Sequence, residues 1–398
     1  MSRESHDGRP TALHEHLAWW GLRRFTSDAD YFAWQGNQLS SAELTQLNAQ
    51  VKRKREGDHR DEIAFYDLTA QPHVLQVLYS QRYEYYSEIG FRVASRIGDA
   101  KSILDFGCGV GILTTFYGRQ FPDKQFVGVD RSPVSVARAQ EKANSLGLSN
   151  VRFACVDIEV ESFTGSYDLI VTTHALLQAE RDPGLPSRSW HTFTREHDRR
   201  QQAAFEQRTG IAVRLDRLST LLVEHGRMIV FEKTRQLARR VPFQRALATR
   251  GLHLLEVPEP IRYQLVEEVV DDGPFYVLRK GSDASIEWDE SPEPDEGTPF
   301  DKSACQRKSS DPDAPLYENH GPSAQHAWEV LTSRELSKET TREDADGRQM
   351  HVELGQAAEG LYLYCANTFD QRQLVIVEPA RVAMIQSYYQ EIVGGQSE

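Results

Sequence analysis

The chain has 398 residues, enough for two or three domains, with 39% hydrophobic residues and a formal net charge of −13. No run of about 18 apolar residues occurs, and residues 1–10 lack the apolar stretch of a secretory signal, so we predict a cytoplasmic protein without a membrane partner. The four cysteines are widely spaced and form no CxxC pair, which predicts free thiols and argues against a metal site or a disulfide framework.

The first hundred residues carry helical patterns. Residues 40–56 begin with a serine cap signal and space their apolar side chains at helical intervals, so they predict one helix. The basic segment Lys52–Arg55 is interpreted as a solvated helix face in preference to a nucleic-acid patch. A further helix is predicted over residues 72–97. Aromatic residues crowd positions 65–91, and we assign most of them to the core, with the lining of a pocket as the alternative.

From residue 101, strand and helix patterns alternate. Short apolar runs predict strands at Ser102–Phe106, Phe126–Asp130, Val151–Val156, Tyr167–Thr172 and Arg227–Glu232. Helical patterns cover Gly111–Gln120, Pro133–Leu146, Ile211–Val223 and Pro242–Arg250. This alternation predicts a parallel sheet with helices on both faces. Two later runs, Leu254–Val257 and Phe275–Lys280, are interpreted as an antiparallel pair at the edge of the sheet.

The C-terminal third has two different compositions. Residues 282–316 are rich in Ser, Pro, Asp and Glu and poor in apolar side chains, which predicts an acidic disordered linker. Residues 317–398 regain helix and strand patterns and predict a small α+β C-terminal domain, which matches no family that the residues identify. The predicted organisation is therefore a helical extension over 1–100, an α/β domain over 101–281, the linker, and this last domain.

The loop after the first predicted strand is rich in glycine. In LDFGCGVG, Gly107, Gly109 and Gly111 alternate with other residues, whereas a dinucleotide site would need the spacing GxGxxG. Asp130 ends the second strand, where a carboxylate can accept hydrogen bonds from both hydroxyls of a ribose. Asp157 follows the third strand. These positions lie at the carboxyl ends of the strands, where open α/β sheets bind ligands.

The ordered motifs, ILDFGCGVG, FVGVD, CVDIE and YDLIVTTHALL, resemble those of the class I S-adenosylmethionine-dependent methyltransferases, with a methyltransferase type 11/12-like core. The likeness covers about residues 101–281, less than half of the chain. It implies a doubly wound Rossmann-like α/β fold, whose mainly parallel seven-stranded sheet has an antiparallel edge strand. It also implies S-adenosylmethionine as the cofactor. In an enzyme that methylates a small molecule, the helical extension over residues 1–100 would act as a lid.

The resemblance implies a role for each residue of the glycine loop. Asp105 and the backbone of Gly107, Cys108 and Gly109 would hold the methionine end of the cofactor. Gly111 would let the following helix pack close to the loop.

The resemblance also implies contacts to the nucleoside. Asp130 would bind the ribose, and Arg131 would lie beside the adenine, where the family often has an apolar residue. Stacking of the guanidinium on the base would substitute for that residue. Asp157 would accept a hydrogen bond from the adenine amine, with the Ile158 backbone beside it.

Methyl transfer from a sulfonium is an in-line displacement, in which the protein positions the nucleophile and excludes water. The resemblance implies that Thr173 and His174 border the methionine moiety and the methyl group. A general base is needed only if the acceptor arrives protonated, and His174 is the candidate catalytic base. The alternative is a loop histidine that transfers no proton.

Residues 179–210 form a long insertion after the fourth strand, with several arginines, histidines and Trp190. We interpret it as a solvated surface helix, with a loop that closes over an anionic or aromatic acceptor as the alternative.

Three functions are consistent with the sequence. The first is methylation of a small molecule. The second is methylation of a protein, or of tRNA, with residues 317–398 as a recognition module. The third is a non-catalytic scaffold that binds S-adenosylmethionine. Strand four ends in VTTHAL and lacks the Asn/Asp-Pro-Pro-Tyr/Phe arrangement of enzymes that methylate DNA bases, which, with the acidic charge, argues against duplex nucleic acid.

Overall fold

The computed structural model describes residues 9–179, 182–281, 286–295, 297–305, 314–345 and 347–394. The chain divides into two compact units, each built from three stretches. The first unit comprises Met1–Asp182, Glu206–Arg235 and Arg245–Trp288, and the second comprises Pro183–Phe205, Gln236–Gln244 and Asp289–Glu398. Within the described ranges, no helix is both long and apolar enough to cross a lipid bilayer.

Helices precede the first strand of the first unit, which confirms the predicted helical N-terminal region. They are α1 (Arg9–Trp19), α2 (Asp28–Gln38), α3 (Ser41–Glu56), α4 (His59–Thr69), α5 (Pro72–Gln81) and α6 (Tyr83–Arg96). Helix α3 begins where predicted, because Ser40 and Glu43 form a reciprocal capping box. Its basic end is only partly solvated, since Lys54 Nζ donates to Tyr66 Oη at 3.1 Å.

The single helix predicted over residues 72–97 is wrong. The helix is interrupted at Arg82, whose backbone dihedral angles (φ −97°, ψ 20°) lie outside the helical region. The Arg82 amide then donates to Tyr79 O at 3.1 Å, closing a tighter turn than that of an α-helix. The amphipathic pattern runs through both helices, so periodicity alone did not reveal the break.

The sheet of the first unit confirms the predicted doubly wound α/β fold. Its strands are β1 (Ser102–Phe106), β2 (Gln125–Asp130), β3 (Val151–Cys155), β4 (Tyr167–Thr173), β5 (Leu222–Phe231), β6 (Leu252–Leu254), β7 (Glu259–Leu265) and β8 (Glu268–Lys280). The order is β3-β2-β1-β4-β5-β8-β6, with β7 paired to β8. Strands β1 to β5 are mutually parallel, and β8 runs antiparallel to β5 and to β6.

The helices that follow β1 along this part of the chain are α7 (Ile112–Gln120), α8 (Pro133–Ser145), α9 (Arg199–Arg208), α10 (Ile211–Leu221) and α11 (Leu237–Ala248). Of these, α9 and α11 each begin in the second unit and end in the first. Helix α8 starts as its sequence predicts, with Ser132 as the cap and Pro133 in the first turn. Helix α11 contains Pro242 inside it, so the predicted start at this proline was wrong.

The hairpin of β7 and β8 was not predicted. In its register Pro260 lies opposite Pro274, and the turn contains Val266 with a positive φ of 61°. Prolines read as loop signals in a sequence, but an edge strand tolerates them because its outer amides need no partner. The hairpin adds an eighth strand to the predicted seven.

The second unit is a five-stranded antiparallel sheet with helices. Its elements are α12 (Lys302–Cys305), β9 (Tyr317–His320), α13 (Gly321–Glu329), β10 (Glu335–Glu343), β11 (Gln349–Ala357), β12 (Gly360–Asn367), β13 (Arg372–Val377) and α14 (Val382–Gly394). The strand order is β10-β11-β12-β13-β9. The predicted hairpin around Asn367–Asp370 is confirmed as β12–β13, whereas β9 and the charged, exposed β10 were not predicted.

The insertion over residues 179–210, predicted as a solvated surface helix, contributes buried residues to this second unit. The ring of Trp190 stacks on His351 with 3.4 Å between centroids and an interplanar angle of 4°. Arg195 is buried and forms an ion pair with Asp370. Two residues of the insertion, Glu180 and Arg181, lie outside the described residues.

Part of the segment predicted as a disordered linker also makes contacts within the second unit. Arg240 Nη2 donates to Ser291 O at 2.6 Å, and the Ser323 amide donates to Asp295 Oδ2 at 2.7 Å. Cys305 is buried in the core between α13 and the sheet. Residues 282–285, 296 and 306–313 of the predicted linker lie outside the described residues.

Candidate cofactor site

The glycine loop joins β1 to α7 through three residues of positive φ, Gly107 (+74°), Gly109 (+54°) and Gly111 (+79°). A Cβ on Gly107 would lie 2.2 Å from Ala175 Cβ, and one on Gly111 would lie 2.8 Å from Ala139 Cβ. A Cβ on Gly109 would have no atom within 4 Å, although Gly109 lines a cavity. The outer two glycines therefore allow close packing, whereas Gly109 leaves space on the cavity side.

The amides of this loop are bound to the neighbouring strand. Gly107 N and Cys108 N donate to Val129 O at 2.8 and 3.1 Å, and Gly109 N donates to Asp130 Oδ2 at 2.9 Å. These three amides are therefore already engaged in hydrogen bonds within the protein. The contacts fix the end of β2 against the loop.

Two buried carboxylates flank the loop. Thr114 Oγ1 donates to Asp105, and burial raises the pKa of Asp105 to about 6. Asp130 also accepts from the Ser132 amide at 2.9 Å, and burial raises its pKa in opposition to these backbone hydrogen bonds.

The third acid of the motif set lies after β3. Asp157 Oδ1 accepts from the Glu159 amide at 3.0 Å, and its Oδ2 lies 4.0 Å from His59 Nε2 on α4. Ile158 beside it is buried. Arg131 forms an ion pair with Glu62, also on α4.

Helix α4 contacts this part of the site at two further points. Asp67 Oδ1 accepts from Ser132 Oγ at 2.6 Å and from the Val134 amide at 3.3 Å. Glu62 Oε2 accepts from Gln178 Nε2 at 3.1 Å. The N-terminal helices are thus held to the carboxyl ends of β2 and β4.

His174 follows Thr173 at the end of β4 and has a left-handed backbone, with φ of 56°. Its Nδ1 accepts from Arg82 Nη2 at 3.0 Å, and its Nε2 lies 3.1 Å from Asp272 Oδ2. The guanidinium can only donate, so Nδ1 is unprotonated and the ring hydrogen faces Asp272. Burial, with a smaller contribution from Arg82, lowers the pKa of His174 to about 4 against the opposing effect of Asp272.

These groups line one cavity of about 450 Å³ in the first unit. The predicted residues that it brings together are Asp105, Gly107, Cys108, Gly109, Asp130, Arg131, Asp157, Ile158, Thr173 and His174. Gly111 does not line the cavity and instead packs against α8 and β3.

A family model described as a methyltransferase domain matches residues 97–235, which contain the loop, β1 to β5 and most of these residues. The chain contains a class I S-adenosylmethionine-dependent methyltransferase domain. The cofactor of this domain is S-adenosylmethionine.

Curated relatives resemble the methyltransferase domain over short stretches. The chain is 33% identical over 110 residues to malonyl-[acyl-carrier protein] O-methyltransferase of Acetivibrio thermocellus, covering 25% of this chain and 38% of that protein. It is 32% identical over 95 residues to tRNA (guanine-N(7)-)-methyltransferase of Porphyromonas gingivalis, covering 22% of this chain and 38% of that protein. The chain therefore spans less than two fifths of the length of these relatives.

A solved structure, magnesium protoporphyrin IX methyltransferase from Synechocystis PCC 6803, overlaps 70% of this chain and 100% of its own length. The TM-score is 0.35 and the sequence identity 13%, a likeness too low to bear on the function of the methyltransferase domain.

The site of the methyltransferase domain also contains residues that the sequence did not reveal, among them Arg82, Asp272 and Tyr263. The Tyr263 hydroxyl donates to Asp272. Burial would raise the pKa of Asp272, but the adjacent imidazole of His174 and the hydrogen bond from Tyr263 hold it at about 2. The ring of Tyr85 stacks on His174 with 5.1 Å between centroids.

Glu232 completes this side of the methyltransferase cavity. Its Oε1 accepts from the amides of Ala175 and Leu176, both at 2.7 Å, which shapes the loop after β4. Its Oε2 is buried without a hydrogen-bond partner among the described residues. Burial raises the pKa of Glu232 to about 7. An acid directly after an apolar strand, as at Asp130, was the signal that could have identified it.

Proposed function

We propose that the protein is an enzyme that transfers the methyl group of S-adenosylmethionine to a small-molecule acceptor. The observation that carries this proposal is the single cavity in which the motif residues around Asp130 lie together with Arg82, His174 and several tyrosines. Its volume of about 450 Å³ lies in the range of small-molecule sites. Contacts of α4 with Arg131 and Ser132 support the proposal that the N-terminal helices act as a lid over the nucleoside.

The cofactor supplies an activated methyl group, so the chain's own residues bind, orient and exclude water. Asp130 would hold the ribose, and Asp157 with Ile158 the adenine. Asp105 and the loop Gly107–Gly109 would hold the methionine end. The fit is supported by the space beside Gly109, where the backbone approaches the cavity without a side chain.

For Arg131 we propose a role beyond the stacking on adenine that the resemblance implies. Its guanidinium pairs with Glu62 and lies 3.8 Å from Glu159, and these contacts would hold it next to the proposed adenine position. We propose that Arg131 closes α4 over the base, with stacking as a consequence of that position.

His174 remains the candidate general base, provided that its hydrogen bond with Arg82 can break. The imidazole can accept a proton at Nδ1 only when Arg82 gives up its hydrogen bond to that atom. While the bond is present, Thr173 and His174 would shape the space around the methyl group without moving a proton.

Calorimetric titration of S-adenosylmethionine and S-adenosylhomocysteine tests the proposal. Wild type should bind both at micromolar strength, and Asp130→Ala should weaken binding at least tenfold. Asp168→Ala is the matched control, since Asp168 also accepts from two amides, of Lys101 and Ser102, at the opposite ends of the strands. Absence of binding to folded wild type would refute the proposal.

Methylation of tRNA or of a protein is the second candidate, because curated relatives are named as tRNA methyltransferases and the chain has a second compact unit. Full-length protein with methyl-labelled cofactor would be incubated separately with metabolite extract, total tRNA and protein. Label in the metabolite fraction alone supports a small-molecule acceptor. A truncation at residue 281 is a poor test, because Pro183–Phe205 and Gln236–Gln244 also belong to the second unit.

A further inference from the structure

Within the part of the chain that the structure describes, Arg82 is a cation in the cavity without a carboxylate partner. It lies at the break between α5 and α6 and lines the cavity. Its guanidinium donates one hydrogen bond, to neutral His174, and lies 4.3 Å from the centroid of the Tyr85 ring. Among the described residues, no carboxylate oxygen lies within 4.0 Å of it. Removing a charge from water without such a partner is costly, and an anionic ligand would supply the missing charge.

Two other arginines that line the cavity contrast with Arg82, whereas a third, Arg55, is exposed to solvent. Arg131 pairs with Glu62, and Arg214 Nη2 lies 2.5 Å from Glu159 Oε1. Each of them therefore has a carboxylate partner from the chain itself. The five N–H donors of a guanidinium suit two-point recognition of a carboxylate, and most of those of Arg82 have no acceptor within the described residues.

The surroundings of Arg82 are aromatic. Tyr79 and Tyr86 stack with 5.9 Å between centroids and an interplanar angle of 9°, and Tyr85 meets Tyr263 edge-on at 5.4 Å. All four line the cavity. Such walls suit a flat apolar body, whose burial would accompany the ion pair.

We propose that Arg82 binds the carboxylate of an aromatic acid that serves as the methyl acceptor, with the ring of that acid against the cavity tyrosines. The inference rests on the proposed methyltransferase function and specifies its substrate class. Arg82 contacts His174, whose other nitrogen faces Asp272 on the β7–β8 hairpin, and this hairpin carries none of the motif residues assigned to the cofactor. That position favours the acceptor over the carboxylate of the cofactor's own methionine.

The test uses the full chain saturated with S-adenosylhomocysteine and calorimetric titration with benzoate, 4-hydroxybenzoate, indole-3-acetate and the amide of each. At least one acid should bind wild type ten times more tightly than its amide. Arg82→Gln should abolish that preference, and Arg82→Lys should reduce it threefold or more. Arg24→Gln is the control, since Arg24 pairs with Glu84 on α6 outside the cavity. If Arg82→Gln does not fold, Arg82→Lys carries the comparison.

Two results would overturn the inference. One is that no acid binds wild type more tightly than its amide. The other is that Arg82→Gln weakens S-adenosylhomocysteine tenfold yet leaves 5′-methylthioadenosine unchanged, which would assign Arg82 to the cofactor's carboxylate. Failure of the methyltransferase proposal would give a different result, because wild type would then not bind S-adenosylhomocysteine. The titrations with acids and amides would in that case be repeated without S-adenosylhomocysteine. A preference for acids that depends on Arg82 would still support an anion site.

Discussion

Arg82 and His174, 92 residues apart in the chain, are joined by a hydrogen bond of 3.0 Å between Nη2 and Nδ1. The bond links the break in the N-terminal helices to the carboxyl end of β4. It also holds the imidazole neutral, because a protonated Nδ1 would face a guanidinium at the same distance.

This pair gives a prediction about titration. In wild type the pKa of His174 is lowered to about 4, first by burial and in part by Arg82. Arg82→Gln removes the positive charge, so the pKa of His174 should rise. Histidine NMR titration would measure it, with His174→Asn to assign the resonance. An unchanged pKa would show that burial and Asp272 alone set the protonation state.

The pH dependence of stability should reflect Glu232. Its pKa is raised from 4.5 to about 7 by burial, so between these values the folded state keeps a proton that the unfolded state has lost. Stability should therefore fall as the pH rises from 4.5 to 7 and change no further through this group above it. Glu232→Gln removes this dependence, and the gain in the urea midpoint should be larger at pH 8 than at pH 4.5.

The matched control for Glu232 is Glu206→Gln, a buried glutamate that pairs with Arg250. That substitution removes an ion pair and should lower the midpoint at pH 8. A Glu232→Gln gain that is equal at both pH values would contradict the assignment of the raised pKa.

Substitutions at Gly109 and Gly147 would distinguish the effect of backbone strain on stability from an effect on cofactor binding. Both have positive φ, +54° and +66°, and a Cβ on either would have no atom within 4 Å. Each change to alanine should cost about 1 kcal/mol of stability, through backbone strain alone. Only Gly109→Ala should also weaken S-adenosylhomocysteine at least tenfold, because its Cβ would enter the cavity. Equal affinities of the two variants would place the cofactor away from the loop.

The attachment of α4 should affect cofactor release. Asp67→Ala removes the acceptor of Ser132 Oγ and the Val134 amide. We expect a three- to tenfold faster dissociation of S-adenosylhomocysteine in stopped flow and less protection of α4 from proteolysis. Asp123→Ala, which removes an exposed pair with Lys101, is the control and should change neither. Unchanged dissociation would mean that α4 does not act as a lid.

The part of the site that the sequence predicted is local in the chain. Asp105, Gly107 and Asp130 lie within a few residues of strand ends, and parallel strands bring such ends to one edge of the sheet. Asp272 and Tyr263 could not be found in this way, because they enter the site through a hairpin whose prolines resemble loop signals. Arg82 could not be found because it interrupts a continuous amphipathic pattern.

The same distinction holds for the rest of the fold. The serine cap at residue 40 and the strand β2 follow from neighbouring residues and were predicted. Trp190 was assigned to a solvated insertion because its partner, His351, lies far along the chain. A contact of this kind leaves no periodic signal in either segment.

The division of the second unit among three stretches of chain has a consequence for synthesis on the ribosome. Arg195 is translated 175 residues before its partner Asp370, an interval of roughly ten to thirty seconds at ordinary rates. During that time Trp190 also has no His351 to cover it. The nascent chain therefore carries Trp190 without the His351 ring that stacks on it in the folded protein, which makes residues 183–205 an expected binding site for a ribosome-associated chaperone.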